Sequence, residues 1–301
     1  MPRHFLYIIN PISGTKSKSG LENLIRKKTT ATGFPFAIFP SVEGGDYSFL
    51  DDYIREQKVT DIIIAGGDGT INQAINSLRK WKLPFGIIPC GSGNGLALTA
   101  GIPKSAEKAI DIVFTGERQW TDAFTINGKF ACMLCGLGFD AQVAHDFAND
   151  PNRGLTTYIK QTVKNFLTSK SYTFGIRTKG RTFITDAFFI SVANSNQFGN
   201  NFKIAPKASL TDGMLDIVIM TKQNKLSMLV QALKQVSGFN EVQETALVDA
   251  QSSVIYFQAP SLTINNALDA PLHIDGDPVE TEKQLKFQVL PSCFQLLVNK
   301  S

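Results

Sequence analysis

Apolar and polar positions along the first ~120 residues follow two alternating patterns. Runs rich in β-branched and aromatic residues predict strands at 5–10, 34–40, 60–66 and 83–89. Apolar residues at helical spacing predict helices near 21–30, 46–57, 71–81, 96–101 and 106–116. Strands that alternate with helices are typical of a parallel sheet covered by helices. We therefore predict an α/β domain over residues 1–121.

From residue 122 the pattern changes to two-residue alternation interrupted by turn residues. Asn127-Gly128 and Lys179-Gly180 separate alternating runs, as the turns of β-hairpins do. Two helical patterns, near 155–168 and 226–236, interrupt this series. The pattern predicts a second, mainly antiparallel β-sandwich domain over residues 122–291. A last strand near 293–298 is compatible with either domain, so the segment 292–301 is left open between them.

Composition narrows the classes of function. The chain has 301 residues and a net charge of +4, which is compatible with anionic ligands but too weak to indicate nucleic acid. Cys132 and Cys135 form a C-x-x-C within a strand-like run, which favours buried thiols in a reducing compartment over a zinc or redox site. No apolar run reaches the ~20 residues of a spanning helix, and the first one ends at Asn10-Pro11. We expect any membrane contact to be peripheral.

Three polar loops follow predicted strands of the first domain. They are NPISG (residues 10–14), GGDGT (66–70) and GSGNG (91–95). Ligands of open parallel sheets bind outside the carboxyl ends of the strands, and helix N-termini bind anions. The loops therefore predict one phosphate-binding site. A Walker A motif and a dinucleotide fingerprint do not fit these loops, because Ser19 and Leu96 stand where those motifs need glycine. Gly136-x-Gly138-x-x-Ala141 fits a looser dinucleotide pattern, but it follows a hairpin strand in the second domain, which disfavours that interpretation.

These loops, together with the block Val192 to Met220 and the late motif HIDGDPVE, resemble the diacylglycerol-kinase and sphingosine-kinase family of lipid kinases. The motifs occur in the family's order over nearly the whole chain. The resemblance implies a nucleotide-binding α/β domain similar to those of phosphofructokinase and NAD kinase, followed by a β-rich lipid-binding domain. It also implies transfer of the γ-phosphate of ATP, with Mg²⁺, to the hydroxyl of diacylglycerol, a sphingoid base or a related lipid.

By the same resemblance, the ATP contacts lie on the three loops, at the end of the second strand and in the late motif. These residues are Asn10, Pro11, Ile12, Ser13, Gly14, Ser41, Gly66, Gly67, Asp68, Gly69, Thr70, Asn72, Ser92, Asn94 and Asp277. The charge of Asp68 within a phosphate loop is explained if its carboxylate holds Mg²⁺, directly or through water, or orients the accepting hydroxyl. The alternative is a turn aspartate that caps a helix beginning near Thr70.

The resemblance places two more aspartates in the second domain. Asp275 stands where the family has the general base for the lipid hydroxyl, and Asp275-Gly276 is equally compatible with a hairpin turn. Asp212 stands where the family holds a structural Mg²⁺ with backbone carbonyls, here those of Ser209 and Met214. Asp216 either assists this site or is the solvent-side residue of its strand.

Two positions depart from the family pattern. Asp277 replaces the usual glutamate, and Gly95 replaces the aspartate common in bacterial diacylglycerol kinases, so the lipid is not identified. Asp140 follows a glycine turn near a substrate-amine position of sphingosine kinases, but a structural role is favoured for it. The three histidines lack metal-ligand spacing and are interpreted as packing or surface residues.

We therefore expect a cytoplasmic kinase that acts transiently at a membrane surface. Its partners are a nucleotide and a lipid substrate, nucleic acid is excluded, and a homodimer is left open. One alternative is an NAD-kinase-like enzyme or another kinase with a soluble substrate, since such enzymes share GGDGT. The other is a nucleotide-binding regulator without activity, which only the Asp277 replacement favours.

Overall fold

A computed structural model describes residues 2–11, 18–149, 165, 170–196, 204–221 and 254–300. The chain forms two compact units, Met1–Asp122 with Ser292–Ser301, and Ala123–Pro291. The first has a parallel sheet and the second is mainly antiparallel, so the predicted fold class is confirmed. The helices predicted near 155–168 and 226–236 lie outside the described residues, apart from Asn165.

The first unit alternates strands with helices. Its elements are β1 (Phe5–Ile9), α1 (Lys18–Thr32), β2 (Phe36–Pro40), α2 (Asp51–Glu56), β3 (Asp61–Gly66), α3 (Asp68–Leu78), β4 (Pro84–Pro89), α4 (Gly95–Thr99) and α5 (Ala106–Thr115), with 3₁₀ turns at Ser48–Leu50 and Arg79–Trp81. The four strands pair in the order β2–β1–β3–β4, all parallel. Every residue of β3 is buried, as expected for a central strand that is covered on both faces.

Buried apolar side chains and one buried ion pair hold this unit together. Phe5, Ile63 and Ile88 belong to a core cluster that also contains residues of α1 and α5. Asp61 is fully buried at the start of β3, and its carboxylate accepts two hydrogen bonds from Arg3, at 2.6 Å and 3.1 Å. This paired geometry offsets the cost of burying the charge.

The second unit is built mostly from strands. Its elements are β5 (Glu117–Ile126, which begins in the first unit), β6 (Lys129–Ala131), β7 (Leu134–Gly138), α6 (Phe139–Asn149), β8 (Tyr172–Thr178), β9 (Arg181–Ala193), β10 (Leu215–Thr221), β11 (Val254–Ala259), β12 (Ser261–Asn265), β13 (Leu272–Ile274), β14 (Asp277–Val279) and β15 (Gln284–Val298). The strand order is β14–β13–β7–β9–β8–β12–β15, and β10 pairs with both β9 and β11. The hairpins predicted at Asn127-Gly128 and Lys179-Gly180 are confirmed.

Two elements differ from the sequence-based expectation. The helix α6 follows β7 directly, where no helix was predicted. The last strand, β15, begins at Gln284 instead of near Cys293. Its first part pairs antiparallel with β12, whereas Gln295 and Leu296 pair parallel with β4. One strand therefore hydrogen-bonds to β12 along its first part and to β4 near its end. The local pattern of apolar residues in the sequence does not reveal this double pairing.

Within the described residues, none of the helices combines the length and the apolar composition required to cross a lipid bilayer.

Candidate active site

The strand ends of the first unit bring several predicted ATP-binding residues to one edge of its sheet. The Asn10 side-chain amide donates to the Thr70 hydroxyl at 2.7 Å. The Ser41 amide donates to the Ile9 carbonyl at 2.9 Å, so the ends of β1 and β2 stay in register. The Gly66 carbonyl accepts from the Cys90 amide at 2.9 Å, which extends the pairing of β3 and β4 into the loops. The glycine loops therefore lie side by side.

Asp68 links the second of these loops to the third. It is the first residue of α3, which therefore begins two residues earlier than the sequence predicted, and Gly67 occupies the N-cap position. Its Oδ2 accepts from the Asn94 amide at 2.7 Å. A negative charge in the first turn of a helix is also favoured by the helix dipole.

Asn94 closes the third loop into a compact turn. It has a left-handed backbone with φ of 60° and is only 3% exposed. Its side chain accepts from the Gly91 amide at 2.8 Å and donates to the Gly91 carbonyl at 2.7 Å. The conformation of the GSGN motif is thus determined largely by Asn94, which is one of the few residue types that tolerate a left-handed backbone.

The second and third loops touch through backbone atoms at two glycines. A Cβ atom on Gly91 would lie 2.6 Å from the Gly67 Cα, and one on Gly67 would lie 3.2 Å from the Gly91 Cα. Backbone atoms cannot move aside as a flexible side chain can. Glycine at position 91 is therefore required by close packing between the loops.

The remaining nucleotide-site predictions are placed as follows. Gly69 lies in the first turn of α3, and Asn72 is half-buried in the next turn. Ser92 is exposed at the tip of the third loop, and Pro11 is exposed after β1. Ile12, Ser13 and Gly14 lie outside the described residues.

In the second unit, Asp275 and Gly276 form the two-residue turn between β13 and β14. Both have positive φ, 51° and 89°, so the hairpin-turn interpretation is confirmed. The Asp275 side chain is nevertheless turned inward, because the residue is only 6% exposed. A hairpin turn and a buried carboxylate therefore coincide at this position.

Three consecutive backbone amides bind the Asp275 carboxylate. Its Oδ2 accepts from the Cys132 amide at 2.9 Å, and its Oδ1 accepts from the amides of Met133 and Leu134 at 3.0 Å and 2.9 Å. The Asp275 amide in turn donates to the Leu134 carbonyl at 2.8 Å. These amides belong to the C-x-x-C segment, whose cysteine spacing gives no indication of this role, so sequence reasoning missed them.

The amide cradle lies in the short break between β6 and β7, where the C-x-x-C motif begins. Cys132 and Cys135 are buried and not disulfide-bonded, as the sequence analysis expected. Burial, followed by the nearby charges of Asp140 and Asp275, raises the pKa of the Cys135 thiol well above its ordinary value. The motif therefore provides packing and backbone donors around Asp275 instead of a reactive thiolate.

Asp277 begins β14, directly after this turn, and is exposed.

The predicted magnesium ligands lie before β10. The Asp212 carboxylate accepts from the Met214 amide at 3.0 Å and from the Gln258 side chain at 3.4 Å. Ser209 lies in the same turn, where its hydroxyl accepts from the Thr211 amide at 3.3 Å. Within the described part of the chain, no group of three or more His, Cys, Asp or Glu side chains could hold a metal ion. Any cation here would depend on one carboxylate, backbone carbonyls and water.

Asp216 is fully buried on β10, so the interpretation that it faces solvent is wrong. Its carboxylate accepts hydrogen bonds from the Tyr256 hydroxyl and the Gln258 amide. The pKa of Asp216 is raised to about 6. Burial is the largest cause of this increase, and the charge of Asp212 adds to it. A second carboxylate within electrostatic reach of Asp212 is compatible with a hard divalent cation, which would relieve their repulsion.

Comparison with known proteins agrees with this geometry. Residues 4–126 match the diacylglycerol kinase catalytic domain, and residues 134–298 match the YegS C-terminal NAD kinase beta sandwich-like domain. A Shewanella frigidimarina protein named "Probable lipid kinase YegS-like" is 27% identical over 257 residues, which cover 83% of this chain and 80% of that protein. A Bacillus subtilis diacylglycerol kinase is 27% identical over 276 residues, covering 90% and 88%.

A solved structure shows the same fold. The crystal structure of a diacylglycerol kinase from Bacillus anthracis matches with a TM-score of 0.73 and 20% identity, over 99% of this chain and 97% of that one. The two domain matches together cover both units and nearly the whole chain. The resemblance drawn from the sequence motifs is confirmed: this chain belongs to the diacylglycerol kinase and YegS family of lipid kinases and is a phosphotransferase with an alcohol acceptor.

Proposed function

We propose that the protein transfers the γ-phosphate of ATP to the hydroxyl of a membrane lipid, with Asp275 as the residue that accepts the hydroxyl proton. The observation that carries the proposal is the Asp275 turn. An aspartate with a left-handed backbone is held by three backbone amides in the motif that the family uses for its general base.

The hydrogen bonds to Asp275 are compatible with this chemistry. They hold both carboxylate oxygens in fixed positions through three backbone donors. Phosphoryl transfer passes through a loose transition state in most analyses, so catalysis depends mainly on positioning and charge stabilisation. A carboxylate held rigidly in this way is therefore suited to orient a lipid hydroxyl and to take its proton during the transfer.

The glycine loops of the first unit support the nucleotide part of the proposal. Their backbone amides and the N-terminus of α3 provide the kind of donors that bind phosphate oxygens. The Asn94 side chain and the contact between Gly67 and Gly91 hold these loops in a compact conformation. We assign Asn10, Ser41, Gly66 to Thr70, Asn72, Ser92 and Asn94 to this nucleotide site.

Mg²⁺ would neutralise the charge of the transferred phosphate when bound. Asp68 is the residue placed to hold it beside the nucleotide, directly or through water, because its carboxylate lies in the phosphate loop itself. Asp212, with the Ser209 and Met214 carbonyls, would hold a second, structural Mg²⁺. All of these are oxygen ligands, which magnesium prefers.

The acceptor is tested by transfer of labelled γ-phosphate to a panel of lipids in mixed micelles with Mg²⁺. The panel contains diacylglycerol, monoacylglycerol, sphingosine, ceramide and phosphatidylglycerol, with NAD as a soluble control. We expect label in one lipid, and loss of that label in both Asp68→Asn and Asp275→Asn. Label in NAD alone would assign a soluble-substrate kinase, and nucleotide binding without any transfer would assign a regulator.

A further inference from the structure

A second buried pair, Asp140 and His273, adjoins the Asp275 turn. The His273 Nε2 lies 3.5 Å from the Asp140 Oδ2, and the two side chains are 2% and 10% exposed. The Asp140 Oδ1 accepts from the Ala141 amide at 2.8 Å, whereas the Oδ2 is buried without a hydrogen bond. A buried carboxylate oxygen in this state is costly unless a polar group faces it. His273 is the group that does so.

The other side of the His273 ring is bonded to the turn. The Gly276 amide donates to the His273 Nδ1 at 3.2 Å. An imidazole nitrogen accepts a hydrogen bond only when it carries no proton, so the proton of the neutral ring is on Nε2. That is the nitrogen that faces Asp140. The ring thus connects a buried carboxylate to the backbone amide that follows Asp275.

The neighbouring strand leaves room for this arrangement. Gly136 on β7 is the register partner of His273 on β13. A Cβ atom at position 136 would lie 2.1 Å from the Asp140 Oδ2 and 2.3 Å from the His273 Nε2. No side chain other than hydrogen is compatible with the pair at this position. The contact therefore depends on three residues from three different elements.

We propose that Asp140 and His273 are positioning residues for the catalytic turn: Asp140 holds the Nε2–H form of His273, and the His273 Nδ1 anchors the Gly276 amide. The proposal rests on the proposed function, in that its effect on catalysis acts through Asp275. If the proton moved to Nδ1, that N–H and the Gly276 N–H would face each other and repel. The turn would then lose the bond between the Gly276 amide and the His273 ring.

Two substitutions at position 273 distinguish a positioning role of His273 from a role in packing alone. Asparagine at position 273 keeps an acceptor near the place of Nδ1, whereas glutamine keeps a polar group only near the place of Nε2. We expect His273→Asn to retain kcat within about 3-fold and His273→Gln to lower kcat by about 10- to 100-fold, on the scale of misplaced catalytic groups. The KM for ATP should not change in either variant. Equal losses in the two variants would overturn the proposal.

Asp140→Asn tests the other end of the pair, and His145→Gln is the matched control. His145 lies on the same helix as Asp140 and contacts the Leu272 carbonyl, but not the turn. We expect kcat to fall in Asp140→Asn and to stay within about 2-fold in His145→Gln, given that only the first variant alters the group that orients His273. A loss of the same size in His145→Gln would instead indicate general destabilisation of α6.

A spectroscopic measurement makes the result independent of the lipid. The chain has three histidines, so ¹⁵N-histidine labelling gives three ring systems that can be assigned by substitution. We expect a neutral His273 with protonated Nε2 in the wild type, and a shifted Gly276 amide resonance in His273→Gln but not in His273→Asn. A wild-type proton on Nδ1 would refute the positioning role. If no lipid is labelled, the proposed function fails, while this spectrum still decides whether His273 anchors the turn.

Discussion

The glycine loops of the first unit and the Asp275 turn of the second unit both present an aspartate near the end of a strand, but the contacts of the two aspartates span different distances along the chain. Asp68 accepts from the Asn94 amide, 26 residues away. Asp275 accepts from the Cys132 amide, 143 residues away. The loops of the first unit consist of recognisable motifs that contact one another, whereas the Asp275 turn depends on backbone amides of the C-x-x-C segment, whose cysteine spacing does not indicate that role.

This difference reflects how parallel and antiparallel sheets bring functional residues together. The carboxyl ends of parallel strands meet at one edge of a sheet, so neighbouring loops come together by the topology itself. An antiparallel sheet places no such requirement on its turns. The environment of Asp275 arises because β13 pairs with β7, which aligns the turn with the break before Leu134. We expect substitutions in the Asp275 turn to lower kcat, and substitutions in the glycine loops to lower stability and nucleotide binding.

The largest effect is expected for Asp275→Asn. An amide does not take the hydroxyl proton, and its NH₂ group faces backbone donors that need an acceptor. We expect kcat for the labelled lipid to fall by about 10²- to 10⁴-fold. Asp269→Asn is the matched control, since Asp269 also has positive φ (53°) but is exposed beside Lys283. Retention of wild-type kcat in Asp275→Asn would remove Asp275 from the mechanism.

A smaller effect, on stability and nucleotide binding, is expected for Gly91→Ala. The added methyl group meets the Gly67 backbone at 2.6 Å, so the two loops must separate. We expect a loss of about 1–3 kcal/mol in the free energy of unfolding, measured with denaturant. ATP binding, measured by calorimetry, should weaken as the loops separate. Gly44→Ala is the control, because nothing lies within 4 Å of its added Cβ. Equal stability of both variants would show that the loops are not in contact.

Asn94 tests whether the third loop depends on side-chain bonds or on backbone conformation. Asn94→Ala removes both bonds to Gly91 and leaves alanine with a left-handed backbone, so we expect it to lose about 1–2 kcal/mol in the free energy of unfolding. Asn94→Gly removes the same bonds but relieves the backbone strain, and its loss should be smaller by about 1 kcal/mol. The same denaturation experiment measures both. Identical losses would assign the whole effect to the side-chain bonds.

The smallest effect concerns Asp212 and Mg²⁺. If Mg²⁺ binds the folded protein there, saturating Mg²⁺ should raise the free energy of unfolding by about 1 kcal/mol relative to EDTA, by mass action. Asp212→Asn should lose most of this increase because a neutral amide is a weaker ligand. Thermal unfolding with and without Mg²⁺ measures it independently of activity. An unchanged response in the variant would place the stabilising cation elsewhere.

Particular residues show how far the sequence supports prediction. The turn at Asn127-Gly128 was predicted correctly because its residues favour the left-handed backbone by themselves. Asp216 was left as either a helper of Asp212 or a solvent-side residue, and its burial follows from the pairing of β10 with β9 and β11. His273 was interpreted as an ordinary packing or surface residue. His273 contacts Asp140, which is distant in sequence, and Gly276, which is three residues away.

The sequence by itself determined the family, the two-part fold class and the motifs that carry the phosphate loops, because these depend on local periodicity, glycine placement and short motifs. The tertiary structure alone decided which groups surround each aspartate. The three amides that bind Asp275, the Tyr256 hydroxyl that bonds Asp216 and the contact between Asp140 and His273 all require elements that are separated in sequence to pack together. Side-chain identity limits what a residue can do, and the pairing of strands determines which atoms it meets.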